Sequence, residues 1–458
     1  MKLHIKNFGC QMNKLDSSLV TSALIEKGFE LTDKAADADV LLMNTCSVRH
    51  HAEERVMSHL GHLKTVKKTN PDLIVGVIGC MAQRLGEELL AHPAVDLVAG
   101  PANIAQIPDM LDDVLKSKNK SIAVTENIRR KNPQAETDTL DKFELAHDTD
   151  KNHIHGQAFV RAMRGCNNFC TYCIVPYVRG PEISRPPKDI IEQVRRLGEG
   201  GIKQITLLGQ TIDAYSYTDG DKTYNLANLL EMVSEVESIE WIRFITSHPG
   251  KFNISILEAM ARLPKITPYL HIPAQSGSDR ILEAMNRKYT AKQYLELIEK
   301  AREILPNVSI ASDFIVGFPG ETDEDFQATV ELIKKARFKN SFVFKYSPRP
   351  GTDSANNLAD DVPEEIKRQR NLDLLALQNA ISEEESSKLL GQSVTVLVEG
   401  LSKKPHVNMA ENGNNPQLIG RTANDYIVVF NAPETLTGTF TVVKIEKTTA
   451  LTMFGKLE

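Results

Sequence analysis

The stretch Arg164–Gly180 reads RGCNNFCTYCIVPYVRG and sets Cys166, Cys170 and Cys173 at C-x3-C-x2-C spacing. Thiolates are the ligands that iron–sulfur clusters prefer, and a tight loop can carry three of them to three irons of one cube. The absent fourth cysteine leaves one iron open to a small molecule. A structural zinc site would want four protein ligands. No nearby histidine completes such a set, since His153 and His155 lie upstream across a strand.

Three further cysteines are spread over the first eighty residues, and each follows a short apolar run. Cys10 comes after IKNFG, Cys46 after LLMNT and Cys80 after VGVIG. Each run has the length of a buried parallel strand, so each cysteine should sit just past a strand's carboxyl end. Open α/β sheets gather their ligands along that edge. A lone free cysteine is commonly a small buried hydrophobe, but three at equivalent strand ends form a ligand pattern. The open iron of a cluster held by Cys10, Cys46 and Cys80 could carry an exogenous sulfur atom.

Strand and helix signals alternate around both cysteine sets. In the first hundred residues strands are predicted over Lys2–Phe8, Val40–Asn44, Leu73–Ile78 and Val95–Val98, with helices over Leu15–Gly28 and His51–Lys67. This predicts an α/β fold that begins with a parallel-sheet, Rossmann-like domain at 1–130. Residues 131–152 are polar, acidic and aperiodic, and read as a linker or long surface loop. Beyond them strands are predicted over Ala158–Met163, Gln204–Leu208, Arg243–Thr246, Tyr269–Ile272, Ser309–Ile315 and Phe342–Tyr346. Six strands with intervening helices suggest a partial (α/β)6 barrel at 153–385 whose loops form one active face. A helical segment, Pro363–Leu390, leads to a tail at 386–450. Its short strands at Ser393–Glu399, Tyr426–Phe430 and Phe440–Lys447 suggest a small closed β-barrel.

Composition sets the surroundings. Of the 458 residues 41% are hydrophobic and 25% charged, the balance of a soluble globular protein. No apolar run approaches the roughly 20 residues of a membrane span. The first residues, MKLHIKNFGC, lack an apolar signal region. A cytoplasmic location without membrane attachment is therefore expected, and it disfavours disulfides among the six cysteines. The net charge of −6 gives no overall signature of nucleic-acid binding, although a local basic strip can hide in an acidic total.

Taken jointly the motifs resemble the methylthiotransferases. Gly9-Cys10-Gln11-Met12-Asn13 with Asp16-Ser17, Asn44–Arg49 (NTCSVR) and Gly79-Cys80 are similar to that family's N-terminal domain. Arg164–Arg185, Ser247-His248-Pro249, Leu270–Gly277 (LHIPAQSG), Asp313–Thr322 (DFIVGFPGET) and Tyr346–Thr352 (YSPRPGT) resemble its radical S-adenosylmethionine (SAM) core. The tail resembles the RNA-binding TRAM barrel. Among the family's branches, GCQMN, NTCSVR and CNNFCTYCIVPYVRG look most like the one acting on N6-dimethylallyladenosine in tRNA. Others act on threonylcarbamoyladenosine in tRNA or on an aspartate of a ribosomal protein. The sequence departs from that branch at Gln210-Thr211-Ile212-Asp213, where GQNVNSY is usual, and in an Asn-rich insertion at Asn408–Pro416.

The resemblance implies two 4Fe-4S clusters and two SAM molecules per turnover. One SAM, on the Cys166/Cys170/Cys173 cluster, would yield the radical that removes hydrogen from adenine C2. The other would methylate a sulfur held on the Cys10/Cys46/Cys80 cluster. The product would be 2-methylthio-N6-dimethylallyladenosine beside the anticodon, with the base turned out of its stack into the site. Implied partners are the tRNA anticodon stem-loop, a reductant such as flavodoxin, and a sulfur or cluster donor. By position on the barrel strands Gln210, Ser247, Gln275, Asp313 and Ile315 are candidates for holding SAM. Arg164, Arg179, Arg185 and Lys188 form a local basic run that could meet RNA phosphates. Phe169 and Tyr172 could stack on a ligand but are expected to pack beside the cluster, and His248 and His271 are expected to be structural. The tail carries seven Lys/Arg against nine Asp/Glu over Glu383–Glu458, so its RNA-binding role rests on resemblance alone.

Overall fold

The computed structural model describes residues 1–47, 50–126, 133–149, 155–403 and 415–458. Val48, Arg49, His153 and all but the last two positions of the Asn-rich insertion lie outside the described residues.

The N-terminal sheet consists of β1 (Lys2–Asn7), β2 (Glu30–Leu31), β3 (Val40–Thr45), β4 (Ile74–Gly79), β5 (Leu97–Ala99) and β6 (Ser121–Ala123). It is six-stranded and parallel, in the order β2-β1-β3-β4-β5-β6. Alternate residues of β3 feed two cores: Val40 and Leu42 pack with Leu15, Leu19 and Ile78 on one face, and Leu41 and Met43 with Val56, Leu60 and Val77 on the other. Burial on both faces is why these strands read as unbroken apolar runs.

The expected linker is instead largely a helix, Pro133–His147. Leu140 and Phe143 enter the N-terminal core, while Asp141 and Glu144 are buried against arginines of the central domain. Acidic residues at three- and four-residue spacing looked aperiodic because their buried partners are cations, not apolar groups.

The central domain holds β7 (Gln157–Arg161), then β8 (Met163–Arg164) and β9 (Ile183–Ser184), which pair with each other around the cysteine loop. Next come β10 (Gln204–Leu208), a hairpin of β11 (Ser216–Asp219) and β12 (Lys222–Asn225), and β13 (Trp241–Ile245). β14 (Tyr269–His271), β15 (Ser309–Val316) and β16 (Asn340–Lys345) complete it. Two parallel sheets, β7-β10-β13 and β14-β15-β16, meet through an Ile242–Ile266 bridge and the Ser247 N–H donating to His271 O at 3.1 Å. The result is a curved six-stranded partial barrel, as expected.

Helix Glu364–Ser387 leads to a closed barrel of β17 (Ser393–Leu401), β18 (Gln417–Thr422), β19 (Ile427–Asn431), β20 (Phe440–Thr448) and β21 (Thr452–Leu457). The expected limit at residue 450 falls short, because β21 lies between β19 and β20 and closes the barrel. The β18–β19 turn docks on the partial barrel, where Asp425 meets Arg243 at 2.6 Å and Lys339 at 3.2 Å.

Candidate iron–sulfur and substrate site

Cys10, Cys46 and Cys80 stand at the carboxyl ends of β1, β3 and β4, three neighbouring strands in which Asn7 pairs with Asn44 and Thr45 with Gly79. The strand order turns back between β1 and β3, the crevice where open α/β sheets bind ligands. Asn13, fully buried, is the hub of this edge. Its Nδ2 donates to Asn44 Oδ1 (2.7 Å) and to Thr45 O (2.8 Å), and its Oδ1 accepts from the Cys10 thiol (3.2 Å). The motif GCQMN thus carries a cysteine and the amide that fixes its neighbours. Gly79 has φ +93°, and a Cβ there would lie 2.4 Å from Asn44 Oδ1. Only glycine lets β4 deliver Cys80 at this point.

The second cysteine loop is equally constrained. Gly165 has φ +72°, and a Cβ there would be 1.9 Å from Pro181 O. The Cys166 N–H donates to Gly180 O (3.1 Å), and the Cys173 N–H to Cys170 O (2.9 Å). Donors converge on the sulfurs: Arg287 NH1 reaches Cys170 Sγ at 3.3 Å, and Asn168 Nδ2 reaches Cys166 Sγ at 3.4 Å. The Thr211 hydroxyl lies 3.2 Å from Cys166 Sγ. Burial pushes the Cys166 and Cys173 thiols up, with the Thr211 hydrogen bond opposing it at Cys166.

None of the six cysteines is in a disulfide. Among the described residues no three His, Cys, Asp or Glu side chains come together on one metal ion. A zinc site needs such convergence, whereas a cube takes its thiolates one per iron. Guanidinium, amide and hydroxyl donors aimed at Cys166 and Cys170, and the Arg179 guanidinium aimed at Cys80, are surroundings that suit thiolate-held clusters.

The two sets are linked through Cys80. Cys80 packs with Ile174, Tyr177 and Val178, the short helix that follows Cys173. Arg179, at its end, donates from Nε to Cys80 Sγ (3.3 Å) and from NH2 to Asp16 Oδ2 (3.1 Å). Burial pushes the Cys80 thiol up, and Arg179 opposes it. Arg179 comes six positions after Cys173, at most about 20 Å of chain.

The proposed SAM residues gather at one barrel mouth. Gln210 follows β10 and Ser247 follows β13, and Gln210 Oε1 and Ser247 Oγ are both buried without a protein hydrogen-bond partner. Buried polar atoms of this kind need a partner, and a polar ligand supplies one. Gln275 (φ +69°) donates its N–H to Asp313 O (2.8 Å) and accepts from Ile315 N (2.9 Å). Asp313 and Ile315 are half-buried, while Phe314 and Val316 between and beyond them enter the core, so the first two face the barrel interior. His271 Nε2 lies 3.2 Å from Asp313 Oδ1. Burial takes His248 down to about 3, and its Nδ1 accepts from Gly250 N (3.1 Å), a structural arrangement.

Three of the four residues expected to meet phosphates are internal. Arg164 pairs with Asp141 (2.5 Å) and Glu144 (3.0 Å), and Arg185, with no exposed surface, with the same two carboxylates. The Arg179 side chain is 7% exposed and holds Asp16 and Cys80. Their carboxylate partners lie far off in sequence, which is why they looked like a surface strip. Lys188 is exposed. Tyr172 packs with Ile281, Met285, Phe318 and Tyr346, whereas Phe169 is 41% exposed. Sequence reasoning missed Asn13, Thr211, Asp213 and Arg287. Burial pushes Asp213 up to about 7, although both its oxygens lie within 3.0 Å of the His248 N–H.

Three family models match in chain order: "Uncharacterized protein family UPF0004" at residues 2–100, "Radical SAM superfamily" at 160–333 and "TRAM domain" at 387–457. A tRNA-2-methylthio-N(6)-dimethylallyladenosine synthase of Rhodopirellula baltica is 43% identical over 457 residues, covering 100% of this chain and 95% of the relative. Proteins of the same name from Thermoanaerobacter sp. and Coxiella burnetii are each 41% identical, covering 99% and 100% of this chain and 92% and 99% of theirs. Among solved structures the radical SAM methyltransferase TsrM of Kitasatospora setae, with cobalamin and a [4Fe-4S] cluster bound, has a TM-score of 0.53. It is 14% identical and covers 77% of each chain, a likeness of fold. With three family models matched in chain order and relatives of this name 41–43% identical over the whole chain, the chain belongs to the radical SAM methylthiotransferases, in the group of the tRNA-2-methylthio-N(6)-dimethylallyladenosine synthases.

Proposed function

We infer that this enzyme methylthiolates C2 of N6-dimethylallyladenosine beside the anticodon of tRNA, using SAM and [4Fe-4S] clusters. The observation that carries the reading is the likeness to synthases of that name over the whole chain. Cys166, Cys170 and Cys173 hold the cluster at which SAM is cleaved, and Cys10, Cys46 and Cys80 hold the one that presents sulfur. When bound, the first supplies the electron that turns SAM into a hydrogen-abstracting radical, and the second carries the sulfur to be methylated. Arg287, Asn168 and Thr211 hold the first set of sulfurs, and Asn13 and Arg179 the second. Gln210, Ser247, Gln275, Asp313 and Ile315 line the SAM side. Electrons come from a reductant such as flavodoxin and sulfur from a separate donor. Among the described residues no helix is long and apolar enough to cross a membrane, and a tRNA substrate fits work in the cytoplasm.

The test is an anoxic assay of the reconstituted enzyme with SAM and reductant. Dimethylallyl-tRNA should gain one methylthio group by mass, and threonylcarbamoyl-tRNA or the ribosomal protein should gain none. No gain on dimethylallyl-tRNA would overturn the reading.

A further inference from the structure

With three of its expected arginines engaged inside the protein, the RNA substrate needs another basic surface, and one lies beside Cys10. Phe8, two residues before that cysteine, is fixed by its N–H donating to Asn44 O at 2.8 Å. Cations flank its ring. Lys6 Nζ and Arg55 Cζ each lie 5.5 Å from the ring centroid, and the His59 ring centroid lies at 5.4 Å. Lys6 Nζ is 3.0 Å from His59 Nε2, and Arg55 and His62 are exposed on the same helix, His50–Thr69. Glu53, also on that helix, is engaged by Arg84 at 2.8 Å.

Solvated surface charge is the competing account, and it predicts separated, mobile side chains. Here Lys6 and Arg55 converge on one half-buried aromatic ring, and burial first, then the charges of Lys6, Arg55 and His62, push the His59 imidazole below its usual range. An aromatic face ringed by cations is also the combination that takes single-stranded nucleic acid, the ring for a base and the cations for the backbone. Cys10 is itself exposed at this edge. A base delivered to its sulfur brings its flanking phosphates past Lys6 and Arg55.

We propose that Lys6, Arg55 and His59, arranged around Phe8, with His62 on the same helix, form the surface that receives the RNA backbone flanking the modified adenosine. The proposal rests on the tRNA reading above. Its test is the salt dependence of binding of a fluorescein-labelled anticodon stem-loop carrying N6-dimethylallyladenosine, measured by anisotropy on the reconstituted full-length enzyme. Lys6→Gln/Arg55→Gln should weaken binding roughly tenfold at low salt and flatten the log–log salt slope by about 1.4, two charges at ~0.7 each for single strands. Arg55→Gln alone, at an exposed position, should remove about half of that slope change. Lys6→Arg should retain it. Iron content and RNA-free SAM cleavage should stay as in the parent enzyme. An unchanged slope in the double variant overturns the proposal, as does weakened binding of an acidic flavodoxin with RNA binding intact. Failure of the parent enzyme to bind the stem-loop at all overturns the tRNA reading instead.

Discussion

Arg179 and Cys80 lie 99 positions apart in sequence, yet the guanidinium Nε donates to the thiol sulfur at 3.3 Å. That bond joins the loop that follows one cysteine set to a member of the other. Hydrogen bonds to ligand sulfur raise a cluster's reduction potential by stabilising its more negative state. Arg179→Gln should therefore lower the midpoint potential of the cluster proposed at Cys10, Cys46 and Cys80 in an EPR redox titration. The cluster at Cys166 should keep its potential and its RNA-free cleavage of SAM. Equal shifts in both clusters would refute this local role.

The glycines at Gly79 and Gly165 offer a separate handle on each set. Both have positive φ and no room for a Cβ. Gly165→Ala should deplete the Cys166 cluster and Gly79→Ala the Cys80 cluster. Each should remove about half of the iron and sulfide counted by anoxic analysis and Mössbauer spectra, on the two-cluster stoichiometry the cysteine chemistry implies.

Glu144 has no exposed surface and lies against Arg161 (3.0 Å), Arg164 (3.0 Å) and Arg185 (3.1 Å). Burial acts to raise its carboxyl, but the three guanidiniums hold it below the usual carboxylate range. Glu144→Ala would leave buried cations under-compensated. It should cost roughly 3–5 kcal/mol, read as a lower urea midpoint.

Asp213 gives a pH dependence of opposite sign to most carboxylates. Its folded value, about 7, exceeds the ordinary 3.8 because the group is buried. Between about pH 4 and pH 7 the folded state therefore binds more protons than the unfolded one, and stability falls as pH rises through this window. Asp213→Asn should abolish that fall and raise stability at pH 8 by up to roughly 4 kcal/mol. Urea unfolding of the metal-free protein at pH 5 and pH 8 would check it.

The Asp425 carboxylate sits among Arg243, Lys339 and Arg421, where the tail barrel docks on the core. Burial acts to raise it, but those cations hold it low. Asp425→Ala should loosen the tail barrel. The expected sign is faster proteolytic cleavage near helix Glu364–Ser387, with both clusters and SAM cleavage retained.

The strands and the cysteine triads are legible in the chain itself because they rest on local, periodic signals. Val40–Met43 and Ile74–Gly79 are apolar runs since both faces of the sheet are covered, and Cys46 and Cys80 follow at the ends of those strands. The C-x3-C-x2-C loop is contiguous, so its chemistry can be read from spacing. What the sequence hides is every charge paired over distance. Asp141 and Glu144 look like a solvated linker, and Arg164 and Arg185 like an RNA-binding strip. Burial turns the two pairs into one internal network. A charge's role depends on whether water or a counter-charge surrounds it, and no periodicity encodes that. The sequence alone thus determined the α/β order of domains and the two cysteine triads. Only tertiary packing decided that Arg179 ties the loop after one triad to Cys80 of the other, and that Arg164, Arg179 and Arg185 are paired inside the protein while Lys6 and Arg55 gather at Phe8.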